Sequence, residues 1–179
     1  MNVFFSGGCK NGKSTLAERT VKALAGGDPL YYIATMIPHD EEDRIRIRRH
    51  VASRDGMGFI TLEQGTDVAR CLDRADPQGS FLLDSVTALL SNEMFLPDGG
   101  YDPDAGERAA AELRELAARA KNVVFVSDFI YADSGLYDSY TETYRRALAL
   151  CDRTLAEICD TVVEVVSTNP VVYKGVLPL

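Results

Sequence analysis

Short apolar runs alternate with longer amphipathic stretches along nearly the whole chain. Compact runs rich in Val, Ile, Phe and Tyr are typical of buried strands, whereas apolar residues spaced three and four apart are typical of helices with one buried face. The pattern predicts strands over residues 2–6, 30–35, a segment ending at Glu63, 80–85, 122–128 and 161–167. It predicts helices over residues 14–25, 40–54, 86–95, 105–120 and 139–159.

Strands that alternate with helices in this way predict an α/β fold with a mainly parallel sheet and helices on both faces. The turn-rich stretch at residues 96–106 is predicted to be a surface loop that is too short to separate domains. We therefore expect a single domain over residues 1–179. Ligands of such sheets bind at the carboxyl ends of the strands.

The first predicted strand is followed by a glycine-rich segment, residues 7–14, that fits the spacing G-x-x-x-x-G-K-[ST]. Between a strand and a helix this motif forms the phosphate loop of P-loop nucleotide-binding proteins, with a structural glycine turn as the alternative. Its glycines let several N–H groups point at one anion, and the following helix adds the positive end of its dipole. The predicted nucleotide-binding residues are Gly7, Gly8, Cys9, Lys10, Asn11, Gly12, Lys13, Ser14 and Thr15.

A magnesium site is expected beside this loop. Lys13 brings a mobile positive charge, and the Ser14 hydroxyl can bind a Mg²⁺ ion that bridges the nucleotide phosphates. A second ligand is expected at the end of a neighbouring strand, where Asp84 follows an apolar run. The alternative for Asp84 is a carboxylate that caps a helix or a turn.

The chain carries 27 acidic and 19 basic residues, a net charge of -8. This balance argues against wide contact with nucleic acid or an anionic membrane, so an anionic ligand needs a local basic pocket. Neither a membrane span nor a secretion signal is evident, and a cytoplasmic location is the expectation. The four cysteines have no metal-site spacing and are expected to be reduced.

One local basic group is the predicted helix over residues 40–54. Arg46, His50 and Arg54 recur every four residues and form one stripe, with Ile47 and Val51 beside them to anchor that face. Two guanidinium groups next to an imidazole disfavour its protonated form, which keeps a nitrogen lone pair available as a nucleophile. The alternative is a solvated basic face balanced by the acidic start of the helix.

Several motifs occur in a particular order: GGCKNGKS, YIAT, RIRRH, TLE, LLDS and LLSN. In this order the chain resembles the bifunctional adenosylcobinamide kinase / adenosylcobinamide-phosphate guanylyltransferase family of cobalamin biosynthesis, from residue 2 to about residue 174. The resemblance implies phosphorylation of adenosylcobinamide by ATP or GTP, followed by transfer of GMP from GTP through a guanylylated histidine.

The same resemblance assigns roles by position. His50 matches the guanylylated histidine, Glu63 a carboxylate near the guanosine nucleotide, and Asp84 the carboxylate beside the phosphate loop. Lys13, Arg46 and Arg54 would support charge on the phosphates. The family further suggests a homo-oligomer in which the helix bearing the histidine meets the nucleotide of a neighbouring subunit.

The chain departs from the family in its last third. Asp128-Phe129-Ile130-Tyr131 replaces a common Asn-Glu-Val-Gly, and Asp152-Arg153 replaces a common Asn-Gln. Four tyrosines of this region could line an acceptor site, but we expect them to pack the following helix instead. They are Tyr131, Tyr137, Tyr140 and Tyr144.

These departures leave two alternatives open. One is another small-molecule kinase in which His50 is an ordinary surface residue. The other is a nucleotide-binding module that has lost the acceptor reaction. The sequence leaves open the acceptor, the choice between ATP and GTP, and the number of subunits.

Overall fold

The computed structural model describes residues 1–131 and 134–179. Its strands and helices, labelled in chain order, are β1 (Asn2–Gly7), α1 (Lys13–Ala25), β2 (Leu30–Ala34), α2 (Glu41–Ser53), β3 (Ile60–Glu63), a 3-10 helix (Val68–Arg74), β4 (Ser80–Asp84), α3 (Val86–Met94), α4 (Ala105–Arg119), β5 (Asn122–Val126), α5 (Ser139–Ile158), β6 (Thr161–Val166) and β7 (Asn169–Lys174). The predicted strands and helices are all present, with ends that differ by a few residues.

The strands form one sheet in the order β3-β2-β4-β5-β1-β6-β7. Every neighbouring pair is parallel except β6 and β7, so the predicted mainly parallel sheet is confirmed. β7 and the 3-10 helix were not predicted from the sequence. The hairpin turn before β7 uses Ser167 and Thr168 with positive φ angles of 49° and 70°, where glycine or asparagine is the usual signal.

Apolar side chains alternate between the two faces of the sheet. On β1, Phe4 points into the core under α3, α4 and α5, whereas Phe5 points into the core under α1. Helix α1 covers its face with Ala17, Val21 and Ala25. Helices therefore pack on both faces, as predicted.

Helix α2 differs from the others because it lies at the carboxyl edge of the sheet and keeps most of its surface in solvent. Asp40 caps its start by accepting a hydrogen bond of 2.8 Å from the Asp43 N–H. The prediction that Ile47 and Val51 anchor this helix was wrong: Val51 is 54% exposed and Ile47 is only half-buried. Both side chains line a cleft instead of a core.

Across the two described stretches, no helix combines the length and the apolar character needed to cross a membrane.

The core between the sheet and α4 provides a test of this packing. Leu113 is completely buried there, so Leu113→Ala should lower the free energy of unfolding by about 3 kcal/mol through lost transfer energy and a cavity. Urea unfolding followed by circular dichroism measures this change. The matched control is Leu136→Ala at a fully exposed leucine, which should stay within about 0.5 kcal/mol of wild type. Equal losses in the two variants would contradict the packing described here.

Candidate active site

The phosphate loop connects β1 to α1 and has the backbone geometry that its glycines allow. Gly7 has φ 148° and Gly12 has φ 92°, both in the region that side chains disfavour. A Cβ at Gly7 would lie 2.5 Å from the Val165 carbonyl oxygen on β6. The Asn11 side-chain amide donates to that same carbonyl and ties the loop to β6. The central residues Gly8, Cys9 and Lys10 are exposed, which leaves their backbone accessible to a ligand.

Lys13 begins α1 and is held inside the loop. Its ammonium donates to the Gly8 carbonyl at 2.7 Å and to Asp128 Oδ1 at 2.9 Å, and the side chain is only 5% exposed. Asp128 follows β5 and is itself fixed by the hydrogen bond from its backbone N–H to Thr87 Oγ1 at 2.9 Å. The lysine is therefore neutralised by a carboxylate at the place where the sequence predicts phosphates.

Asp84 ends β4 and lies in a buried polar group. The Tyr32 hydroxyl donates to Asp84 Oδ2 at 2.9 Å, and the Arg54 guanidinium carbon lies 3.4 Å from the centre of the Tyr32 ring. Glu18, on α1, is buried next to them: burial raises the pKa of its carboxyl, Arg54 lowers it and Asp84 raises it. One cation and two carboxylates thus surround a single tyrosine.

Arg54 follows the last residue of α2 and is 7% exposed. One of its terminal nitrogens, Nη1, is buried and has no hydrogen-bond partner among the residues that the structure describes. A buried guanidinium donor without a partner is costly, so this nitrogen is suited to an anionic or carbonyl ligand.

A cleft of about 540 Å³ opens between α2 and the carboxyl ends of β2, β3 and β4. His50, Arg54, Glu63 and Asp84 all line it, so the structure brings four of the predicted residues together. Gly65 also lines the cleft, and its carbonyl accepts at 2.8 Å from the Asn92 amide, which donates as well to the Thr35 carbonyl at 2.7 Å. The size suits a nucleotide-sized ligand.

Arg46 does not line the cleft. Its guanidinium lies 4.0 Å from the Asp43 carboxylate on the solvent side of α2. Arg44 and Arg48 line the cleft instead, and both also pair with Glu41, at 3.5 Å and 2.7 Å. Arg44 and Arg48 are four residues apart in the sequence, and so are Arg46 and His50. The spacing alone therefore does not predict which face of α2 lines the cleft.

Both predicted magnesium ligands carry an oxygen donor. Asp84 offers a carboxylate that accepts from the Tyr32 hydroxyl, and Ser14 is a half-buried residue in the first turn of α1 with a hydroxyl. Carboxylate and hydroxyl oxygens are ligands that Mg²⁺ accepts, together with water and phosphate. A separate acidic group, Asp67, Glu93 and Glu112, has another explanation, because Glu93 and Glu112 accept the N–H groups of Asp67 and Val68 at the start of the 3-10 helix.

The altered segment around Asp128 is partly packed and partly exposed. Tyr144 donates to the Thr87 carbonyl at 2.9 Å, and Tyr131 donates to the buried Asp152 carboxylate at 3.0 Å, so both pack as expected. Tyr137 and Tyr140 are 45% and 58% exposed, yet the Tyr137 ring lies 4.7 Å from the Arg145 guanidinium of α5, and the Tyr140 ring packs edge-on against Tyr101 at 4.8 Å. Burial raises the pKa of Asp152 to about 6, and the hydrogen bond from Tyr131 offsets this only in part.

Comparison with known proteins identifies relatives. The model of the family described as cobinamide kinase / cobinamide phosphate guanyltransferase matches residues 3–172. The bifunctional adenosylcobalamin biosynthesis protein CobU of Salmonella typhimurium is 34% identical over 115 residues, which cover 63% of this chain and 60% of that relative. A solved structure, the flagellar accessory protein FlaH from Methanocaldococcus jannaschii, is similar over 97% of this chain and 78% of its own, with 12% identity and a TM-score of 0.45.

The buried Asp152 carboxyl predicts a pH dependence of stability. The pKa of Asp152 is raised in the folded protein, so between about pH 4 and pH 6 the folded protein keeps a proton on Asp152 that the unfolded chain releases. The contribution of Asp152 to the free energy of unfolding therefore falls as the pH rises through this range. Asp152→Asn should gain stability relative to wild type across that window, by on the order of 1–3 kcal/mol at pH 7. Urea unfolding at pH 4, 5, 6 and 7 measures the difference.

The helix cap Asp138 supplies a control of opposite sign. Hydrogen bonds from Thr141 lower the pKa of its exposed carboxyl, so its contribution is present at neutral pH and lost in acid. Asp138→Asn should therefore lose stability relative to wild type as the pH rises from acid. A flat difference between Asp152→Asn and wild type would show that Asp152 ionises normally in the folded protein.

Proposed function

The chain belongs to the cobinamide kinase / cobinamide phosphate guanyltransferase family, and from that premise we propose that it is a nucleotide-dependent transferase that carries out both reactions on a corrinoid acceptor. In the first, a nucleoside triphosphate phosphorylates adenosylcobinamide. In the second, GMP passes from GTP to the resulting phosphate through His50. The observation that carries the proposal is the shared cleft of His50, Arg54, Glu63 and Asp84, which ends at the strand edge that bears the phosphate loop.

In the proposed kinase step, the loop amides and Lys13 hold the triphosphate, and Ser14 and Asp84 hold Mg²⁺, which when bound neutralises charge on the β- and γ-phosphates. Lys13 exchanges its contact with Asp128 for one with a phosphate oxygen. The acceptor hydroxyl oxygen forms a bond to the γ-phosphorus, and the bond to the β-phosphate oxygen breaks. The nucleoside diphosphate leaves with that electron pair, and the hydroxyl proton passes to solvent.

In the proposed guanylyl transfer, a His50 ring nitrogen bonds to the α-phosphorus of GTP and pyrophosphate leaves. An oxygen of the acceptor phosphate then attacks the same phosphorus, the bond to nitrogen breaks, and the imidazole is regenerated. Arg54 supports this step, since its buried Nη1 can donate to a phosphate oxygen. The role proposed for Arg46 requires its side chain to leave Asp43.

Glu63 is proposed to contact the guanine base. It ends β3 at the rim of the cleft and presents an exposed carboxylate. Guanine carries two adjacent N–H donors that a carboxylate can accept together, an arrangement that adenine lacks. This contact favours GTP for the histidine step and leaves the kinase step open to either nucleotide.

The proposed setting follows from the same family. A cytoplasmic location supplies nucleoside triphosphates, and no nucleic acid partner is required. A homo-oligomer is proposed in which α2 contacts a neighbouring copy, in keeping with the exposure of Ile45 and Val51. A kinase with another acceptor is the second candidate, because the segment that departs from the family includes Asp128, which contacts Lys13.

Labelled GTP tests the histidine step. Wild-type protein incubated with GTP labelled on the α-phosphate should retain acid-labile, alkali-stable label, and His50→Ala should retain none because the nitrogen nucleophile is gone. The matched control is His39→Ala, which removes the other histidine and should label like wild type. Wild-type protein without α-label would overturn the guanylyl transfer.

The kinase step has its own readout. With adenosylcobinamide and GTP or ATP labelled on the γ-phosphate, label should reach the acceptor in wild type and in His50→Ala alike. Label on another alcohol, but not on adenosylcobinamide, would favour the second candidate. Nucleotide binding without transfer to any acceptor would point to a binding module.

The contact between Lys13 and Asp128 predicts a gain in affinity. Asp128→Asn removes a carboxylate that competes with the phosphates for the lysine and repels them, so a fluorescent GTP analogue should bind about three- to tenfold more tightly. Fluorescence titration measures the dissociation constant. Asp73→Asn, at an exposed carboxylate on the 3-10 helix, changes the net charge equally and should leave the affinity unchanged. Weaker binding by Asp128→Asn would mean that Asp128 assists the nucleotide.

A further inference from the structure

Tyr32 is a core tyrosine that contacts both a carboxylate and a guanidinium group. It lies on β2, is 4% exposed, and packs its ring in the core under α1. Its hydroxyl donates to Asp84 Oδ2 at 2.9 Å, while its ring face carries the Arg54 guanidinium at 3.4 Å. A buried tyrosine needs one hydrogen-bond partner for its hydroxyl, whereas this one also holds a buried cation.

The two partners of Tyr32 come from different elements. Asp84 is the last residue of β4, and its strand neighbour across the sheet is Ala34 on β2. Arg54 follows α2, one helical turn after His50. Tyr32 is therefore a side chain that the Asp84 carboxylate and the Arg54 guanidinium at the end of α2 both contact.

The position of Arg54 depends on this ring, because α2 itself packs little. Ile45 and Val51 are exposed, and the cation at the end of the helix is buried against Tyr32 and close enough to Glu18 to lower the pKa of its carboxyl. A buried guanidinium on an aromatic face, desolvated on both sides, holds its place more strongly than an exposed one. The contact of Arg54 with Tyr32 is thus a buried contact at the end of α2.

We propose that Tyr32 is a positioning residue for both half-sites: its hydroxyl orients the Asp84 carboxylate for a magnesium ion, and its ring anchors Arg54 and the helix that carries His50. The hydroxyl engages Oδ2 and leaves Oδ1 outside that hydrogen bond. Groups that orient a metal-binding carboxylate in this way change metal affinity by about 10- to 100-fold when they are removed. The proposal rests on the proposed function.

Tyr32→Phe separates the hydroxyl from the ring. It removes the hydrogen bond to Asp84 and keeps the aromatic face under Arg54. The matched control is Tyr31→Phe on the same strand: Tyr31 is also buried, its hydroxyl accepts from the Asp76 N–H at 3.1 Å, and it points to the opposite face of the sheet. Both variants lose one buried hydrogen bond, so they should lose similar stability in urea unfolding.

Magnesium dependence of nucleotide binding is the first readout. With the full chain and a fluorescent GTP analogue, Tyr32→Phe should need about tenfold more Mg²⁺ for half-maximal binding than wild type or Tyr31→Phe. The same Mg²⁺ requirement in Tyr32→Phe and Tyr31→Phe would overturn the hydroxyl's role. Wild-type binding that is independent of Mg²⁺ would overturn it too.

Labelling of His50 is the second readout. Tyr32→Leu removes the ring as well as the hydroxyl, so at saturating Mg²⁺ it should slow α-label incorporation at least tenfold, whereas Tyr32→Phe should label near the wild-type rate. Equal rates in the two variants would overturn the anchoring role. If wild-type protein takes no α-label, the guanylyl transfer and the anchoring of a reactive histidine both fail, and the Mg²⁺ comparison still decides the role of the hydroxyl.

Discussion

The parallel register of β4 with its two neighbours is the constraint on which the site depends. Asp84 lies level with Ala34 on β2 and with Val126 on β5, so the chain leaves three adjacent strands at the same edge of the sheet. β1 leaves the sheet at that edge as well and continues into the phosphate loop. Parallel strands all end at one edge of the sheet. Residues that are distant in sequence therefore meet in one cleft without any motif of neighbouring residues that brings them together.

The few buried cations explain how a chain of net charge -8 can offer an anion site. Lys13 and Arg54 are both withdrawn from solvent, but in the part of the chain that the structure describes only Lys13 forms an ion pair, with Asp128. A buried ion pair is held in place because separating its charges leaves one of them uncompensated. An incoming polyphosphate therefore replaces the contact of Asp128 at Lys13, whereas at Arg54 it meets a buried Nη1 that has no hydrogen-bond partner among the described residues.

Local patterns predicted the fold well and the site unevenly. The apolar periods of strands and helices involve residues that are close in sequence, and the motif of the phosphate loop is contiguous. The strands, the helices and the motif could therefore be predicted from the sequence. The exposed strand β7 has no buried face to mark it, and its turn lacks glycine. Arg54 was grouped with Arg46 and His50 by helical spacing, yet the helix ends at Ser53 and Arg54 folds onto Tyr32, a contact across the sheet edge that no local period encodes. In the sequence, Tyr32 is not distinguished from the apolar residues of its predicted strand.

The departures from the family cluster in space as well as in sequence. Asp128 contacts the lysine of the phosphate loop. Asp152 accepts a hydrogen bond from Tyr131, which lies three residues after Asp128 in the chain. Burial is the main cause of the raised pKa of Asp152, and the charge of Asp128 adds to it, so the two carboxylates interact. Each of two interacting carboxylates disfavours the ionised form of the other. The Asp128 carboxylate therefore changes the electrostatics around Lys13, whereas the cleft that contains His50 is lined by a different set of charged side chains.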